Sequence, residues 1–170
     1  LWAALELASL AGDPRLKRRL ALAVAHRPEA EPAQVGRAIL RAIRVTRLTG
    51  DSCGHRSTLA LAEELLADGS RSLEQNEMLR TSLHLELIVQ DLWDGVSEER
   101  VLERFDDLDR EVEGRARNVV EQAVSIRALS LATMGRLRDA FEIEAAAEPV
   151  SDLGVEWSRA PMRAIASLVL

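Results

Sequence analysis

Residues 124–149, VSIRALSLATMGRLRDAFEIEAAAEP, contain the pattern from which the fold class of the chain can be predicted. In this stretch, an apolar segment with helical periodicity ends at Gly135, and a second such segment follows directly. The same order of helix, glycine and helix recurs around Gly12, Gly50 and Gly95, so the glycines lie 38, 45 and 40 residues apart. Intervals of this size are typical of repeats built from one helical hairpin each. An all-α chain is predicted, an α-solenoid of about four helix-turn-helix hairpins.

Capping residues and prolines place these hairpins within one predicted domain, 1–170. Asp13-Pro14 predicts a helix start, because Asp is a favoured N-cap and proline is tolerated at the first helical position. Ser97 followed by two glutamates predicts another. The segment TGDSCGHRS, residues 49–57, is polar and contains two glycines, so a loop is expected there. The resulting hairpins cover 1–27, 32–68, 72–108 and 112–149, followed by a terminal helix over 159–170.

Composition restricts the class of protein. The chain has 170 residues, of which 47% are hydrophobic, as expected for one globular domain. Charges interrupt every apolar stretch before it reaches the roughly 20 residues of a membrane span. A single cysteine, Cys53, fits a reducing compartment, so a cytoplasmic location is expected. The start of the sequence, LWAALELASLAGD, has neither methionine nor a basic leader, which favours a segment of a longer polypeptide.

Charge is unevenly distributed along the chain. Residues 1–56 carry ten basic and five acidic side chains, whereas residues 57–170 carry 12 basic and 23 acidic ones. The formal charges are therefore +5 and −11, within a total of −6. The two ends of the predicted solenoid are expected to present opposite electrostatic fields.

The stretch 124–149 resembles a tetratricopeptide repeat. Ala128 matches the small residue of that repeat's first helix, Gly135 its turn glycine, and Ala140 and Ala147 the alanines of its second helix. Positions that depart from the family's large aromatic residues are Val124, Leu131 and Glu144. The resemblance implies a right-handed solenoid that binds ligands in a groove. Repeats near 40 residues, rich in Ala, Leu and Arg, are similar to the arrays of large bacterial LuxR-type transcriptional regulators, which implies a role in transcription regulation and signalling.

The strongest candidate for ligand binding is a set of arginines on one helix, and spacing places the first three on one face. The set is Arg37, Arg41, Arg44 and Arg47. First helices line the groove in tetratricopeptide folds, so the resemblance implies contact with a protein, a peptide or a small acidic effector. Guanidinium groups bind carboxylate or phosphate through paired hydrogen bonds. The alternatives are a solvated helix face and internal pairing with the acidic second half.

Residue patterns for catalysis are weak, and a non-catalytic protein is expected. Cys53-Gly54-His55 offers a thiol and an imidazole, but a glycine loop holds such a pair poorly. The histidines His26, His55 and His84 have no metal-ligand spacing, so neither a metal nor another cofactor is expected. The acidic run 98–113, with Asp106, Asp107 and Asp109, is interpreted as a solvated face.

The sequence offers two further modes of interaction, nucleic-acid binding and self-association. Arg15, Lys17, Arg18 and Arg19 could contact phosphate, but the net charge of −6 argues against direct nucleic-acid binding by this segment. The alternative function is a self-associating scaffold or adaptor, because solenoids without polar caps expose apolar ends. Its homo-oligomer interface would comprise Ala164, Ile165, Leu168 and Leu170.

Overall fold

A computed structural model describes residues 4–5, 12–68 and 75–146. Every regular element within these ranges is helical, which confirms the all-α class. The helices with described bounds are α1 (Pro14–Ala25), α2 (Pro32–Thr49), α3 (Ser52–Ala67), α4 (Glu77–Trp93), α5 (Glu98–Val112), α6 (Arg117–Thr133) and α7 (Leu137–Ala146). None of the described helices is both long enough and apolar enough to cross a membrane. The predicted terminal helix over 159–170 lies outside the described residues.

The four glycines of the repeating pattern each adopt a positive φ, at 72° for Gly12, 67° for Gly50, 76° for Gly95 and 83° for Gly135. After Gly50, the N–H of Asp51 donates to the carbonyl of Thr46 at 3.0 Å, which satisfies an orphan carbonyl at the end of α2. Gly135 is followed by an equivalent bond. Glycine is favoured at such positions because a Cβ is strained there. The predicted turns are confirmed.

Side-chain caps follow several of these turns. The carboxylate of Asp13 accepts a hydrogen bond from the Leu16 N–H at 3.0 Å, and Ser97 caps α5, both as predicted. The prediction of a loop over residues 49–57 is wrong. Asp51 caps α3 one residue after Gly50, accepting from the Gly54 N–H at 2.9 Å, and the helix begins at Ser52. The connection between α2 and α3 is short because it consists of one glycine in the left-handed conformation and one N-cap residue.

Contacts divide the chain into two compact units, Leu1–Leu87 and Ile88–Leu170. In the first unit, α2 packs against both α1 and α3. The face of α2 at positions 35, 39, 42 and 46 points inward as the spacing predicts, with Ile39, Ala42 and Thr46 at 1%, 0% and 0% exposure. The first half of α4 completes this core with Leu79, Leu83 and Leu87. The described part of the unit is therefore organised around α2.

The second unit is built around α6, which packs against α5 and α7. Ala128, Leu131 and Ala140 form a buried cluster, so two of the three alanines matched to the repeat pattern lie together in the core, and the third, Ala147, lies outside the described residues. Phe105 on α5 is fully buried. Val101 and Leu108 on α5 are also buried, so the predicted apolar stripe of this helix is confirmed. The prediction of a solenoid, and of one domain over 1–170, remains a prediction.

Candidate functional site

The arginines predicted for binding lie on α2, and the structure separates them into two groups. Arg37 and Arg44 are exposed and Arg41 is half-buried. One turn beyond Arg44, Leu48 shares their face and is 86% exposed. This set of Arg37, Arg41, Arg44 and Leu48 is called the α2 face below.

Arg47 does not belong to the α2 face. Its Nη2 donates to the Glu86 carboxylate on α4, and the two side chains are 29% and 13% exposed. Arg47 is therefore paired with a carboxylate of the same chain, which was one of the alternatives to ligand binding. Arg47 fastens α2 to α4 within the first unit, and a ligand that took this guanidinium would have to break the pair.

A cavity of about 630 Å³ opens beside α2, between its last turns and the beginning of α1. Its walls carry three guanidinium groups from one helix, since positions 15, 18 and 19 are three and four residues apart. The lining residues are Pro14, Arg15, Arg18, Arg19, Val45, Thr49 and Asp51. The sequence drew attention to these arginines only as nucleic-acid candidates. Their spacing was the available signal for a shared wall.

The position of Arg18 in the cavity wall is set by α3. Its Nη1 lies 3.2 Å from Oδ2 of Asp51, the residue that caps α3. Gly54, buried in the first turn of α3, leaves room for this guanidinium, because a Cβ there would lie 2.7 Å from the Arg18 Cζ. Among the described residues, the buried Arg18 Nε–H meets no hydrogen-bond acceptor. Arg18 therefore keeps one unmet donor beside the cavity.

Cys53 and His55 are not brought together. Cys53 is exposed on the first turn of α3, whereas His55 is 6% exposed and its Nδ1 lies 2.9 Å from the Thr46 hydroxyl. Residues two apart on a helix point in different directions, so the thiol and imidazole cannot act as a pair. The predicted loop around them is a helix, and His55 helps to join α3 to α2.

The acidic run 98–113 has more structure than the solvated face that its pattern indicates. Asp106 and Asp109 on α5 both accept from the guanidinium of Arg127 on α6. Hydrogen bonds to Asp139, and then to Glu98, raise the pKa of Arg136 at the start of α7. Asp106, Asp109 and Glu98 of the run therefore serve as ion-pair partners between the helices of the second unit.

Two other predictions meet the described residues only in part. Within residues 4–5, 12–68 and 75–146, no three His, Cys, Asp or Glu side chains group as a metal site would require. The residues of the self-association interface, Ala164, Ile165, Leu168 and Leu170, lie outside these ranges. Comparison of the chain with protein-family models, curated proteins and solved structures found no match.

Proposed function

We propose that this chain is a non-catalytic helical-repeat binding module, the sensor or interaction segment of a larger bacterial transcriptional regulator. The α2 face, defined above, would hold an acidic segment of a partner protein. In this proposal the hairpins stack as a right-handed, tetratricopeptide-like solenoid and the protein acts in the cytoplasm.

The observation that carries the proposal is the composition of the α2 face. Arg37, Arg41, Arg44 and Leu48 follow one another at helical spacing, and Leu48 is 86% exposed. Arginine is enriched among the residues that dominate binding energy at protein interfaces, whereas isolated exposed charges contribute little. The alignment of three arginines on one helix face is therefore what supports a binding face, and Leu48 adds apolar contact area beside them.

The chemistry of this face favours an acidic partner. Residues 1–56 carry a formal charge of +5, so a negatively charged segment would be attracted before contact. Carboxylates can accept paired hydrogen bonds from the guanidinium groups, while an apolar side chain covers Leu48. A helix with Glu at every third or fourth position and one central leucine has this complementary pattern.

Regulation would follow from a difference in affinity between two arrangements of the repeats. A partner that binds one arrangement more tightly shifts the population towards it and transmits the change to flanking domains. The shift is limited to that difference in binding free energy. Tight binding without such a difference would hold the partner but would not signal.

The proposal is tested by fluorescence anisotropy with a labelled helical peptide that carries Glu at every third or fourth position and a central Leu. The matched peptide replaces each Glu by Gln. The acidic peptide is expected to bind at least about tenfold more tightly, because several charge-assisted hydrogen bonds depend on its carboxylates. Equal affinity for the two peptides would overturn the proposal.

The contact residues are tested by reversing two exposed charges, Arg37→Glu with Arg44→Glu. The control is Arg27→Glu with Arg56→Glu, which makes the same change of charge at exposed positions outside the α2 face. The first pair is expected to weaken acidic-peptide binding more than about 30-fold, and the control by less than about threefold, since like charges now meet at the contact. Circular dichroism establishes that both variants are folded. Equal losses in the two pairs would argue against this face.

A further inference from the structure

The cavity between α1 and α2 has no part in the binding of a partner at the α2 face. Its wall from α2 consists of Val45 and Thr49, which lie on a different side of that helix from Arg37 and Arg44. Its other wall is the arginine-bearing face of α1. The two features share a helix but present separate surfaces, so each can be altered without the other.

Two arginines of this cavity carry positive charge that no carboxylate offsets among the described residues. Arg15 and Arg19 are exposed, and neither has an ion-pair partner among the residues that the structure describes. Arg18 pairs with Asp51, which also lines the cavity. The described part of the lining thus carries three positive charges and one negative charge. A ligand with two negative charges would neutralise it.

The contrast with other arginines of the chain sharpens this observation. Arg47, Arg104 and Arg127 each meet a carboxylate on another helix, as is usual when a guanidinium is partly buried. Arg15 and Arg19 instead line an open space together with Arg18. An anion bound there would offset the mutual repulsion of these like charges as well as form new hydrogen bonds.

Size and lining restrict the ligand further. A volume of about 630 Å³ is in the range of small-molecule sites and too small for a folded partner. Pro14 and Val45 provide an apolar wall beside the charged one. The Thr49 hydroxyl already donates to the Val45 carbonyl at 2.9 Å, which leaves its oxygen as an acceptor for a ligand hydroxyl.

We propose that this cavity binds the phosphate monoester of a small molecule, with the phosphate between Arg15, Arg18 and Arg19. A phosphate monoester carries close to two negative charges at neutral pH and three strong acceptor oxygens. Three guanidinium groups can therefore each find an acceptor, whereas a carboxylate offers two oxygens and one charge. The apolar body of the ligand would lie against Pro14 and Val45. Asp51 would remain the partner of the Arg18 Nη1.

Isothermal titration calorimetry of the full chain at pH 8 tests the proposal with three compounds of similar shape. Phenyl phosphate carries two charges on a tetrahedral group, phenyl sulfate carries one charge on the same geometry, and benzoate carries one on a planar group. Phenyl phosphate is expected to bind with one-to-one stoichiometry and at least about tenfold more tightly than the other two, because its second negative charge strengthens the attraction to the guanidinium groups. Equal affinity of phenyl phosphate and phenyl sulfate would overturn the proposal.

Substitutions then locate the bound phosphate. Arg15→Gln and Arg19→Gln are each expected to weaken phenyl phosphate binding about tenfold, since each removes one charge-assisted hydrogen bond. Arg56→Gln is the matched control, because it removes the same group from an exposed position of α3 outside the cavity lining. Loss of affinity in all three variants alike would contradict the assignment, as would unchanged affinity in the first two.

The acidic-peptide assay keeps this inference separate from the proposed function. Arg15→Gln and Arg19→Gln should bind the acidic peptide as the unaltered chain does, because they lie outside the α2 face. Reversal of Arg37 and Arg44 should in turn leave phenyl phosphate affinity within about threefold, since exposed charges beyond contact distance are screened. Either proposal can therefore fail while the other stands.

Discussion

Nη1 of Arg18 on α1 lies 3.2 Å from Oδ2 of Asp51, and the other oxygen of that carboxylate accepts from the Gly54 N–H at 2.9 Å. The Asp51 side chain, which directly follows the turn after α2, thus caps α3 and forms an ion pair with a guanidinium of α1. Three helices of the first unit meet at Asp51, and the proposed phosphate site is built on this junction.

Asp51→Ala is expected to destabilise the protein more than the loss of an ordinary N-cap. Asp13→Ala is the matched comparison, because Asp13 caps α1 through the Leu16 N–H and makes no ion pair among the described residues. Loss of this cap should lower the free energy of unfolding by about 1 kcal/mol, and loss of Asp51 by about 2 kcal/mol, since the Arg18 pair is lost as well. Urea denaturation followed by circular dichroism measures both. Equal costs would show that the pair contributes nothing to stability.

Gly54→Ala should destabilise the protein, against the helix propensities of the two residues. Alanine in place of glycine inside a helix normally stabilises by about 1 kcal/mol. At this position the new Cβ would lie 2.7 Å from the Arg18 Cζ and would also meet the Asp51 carboxylate, so the ion pair between the two side chains would have to shift, and we expect a net cost of about 1 kcal/mol. In the background of Arg18→Ala the cost should shrink, because the guanidinium is gone. A thermal-denaturation cycle of the four proteins measures the coupling, and an undiminished cost would exclude Arg18 as its cause.

Thr46→Val is expected to weaken the attachment of α3 to α2. The Thr46 hydroxyl is fully buried and lies 2.9 Å from Nδ1 of His55, which is also buried. Valine keeps the shape but leaves the imidazole without this partner, at a cost of about 1–3 kcal/mol. Thr49→Val is the control, since that exposed hydroxyl bonds only to carbonyls of its own helix and its loss should cost less than about 0.5 kcal/mol. Chemical denaturation of the two variants should separate them clearly.

The sequence was sufficient for features that depend on neighbouring residues. Gly50 and Gly135 end helices with positive φ, and Asp13 and Ser97 begin them, because these residue types meet local backbone requirements. Helical spacing likewise identified the buried and exposed sides of α2. The division of the chain into helices follows largely from such short-range rules.

The loop expected at residues 49–57 shows where those rules fail. Two glycines in nine residues favour a loop, yet Gly54 lies within a helix, where the Arg18 guanidinium and the Asp51 carboxylate together occupy the space of a side chain. Asp51 is near in sequence, but Arg18 lies 36 positions away, so local propensity cannot reveal this arrangement. The Arg47–Glu86 pair and the cavity beside α1 have the same origin. The arginines were visible in the sequence, but which of them meet a carboxylate depends on how the helices pack.

Arg127→Met tests whether the acidic run on α5 contributes to the second unit as a structural element. The Arg127 side chain is 19% exposed and bonds to Asp106 and Asp109, so its loss separates two carboxylates from their common partner. Methionine keeps much of the apolar stem, and we expect the free energy of unfolding to fall by about 1–2 kcal/mol. The control, Arg110→Met, removes an exposed pair with Asp107 within α5 and should cost less than about 0.5 kcal/mol. Urea denaturation at low salt and at 1 M salt distinguishes the two variants. Salt screens exposed charges more completely, so the small destabilisation by Arg110→Met should disappear at 1 M salt, whereas that by Arg127→Met, at a partly buried position, should largely remain. If both variants are as stable as the unaltered chain, the run is the solvated face that its pattern indicates.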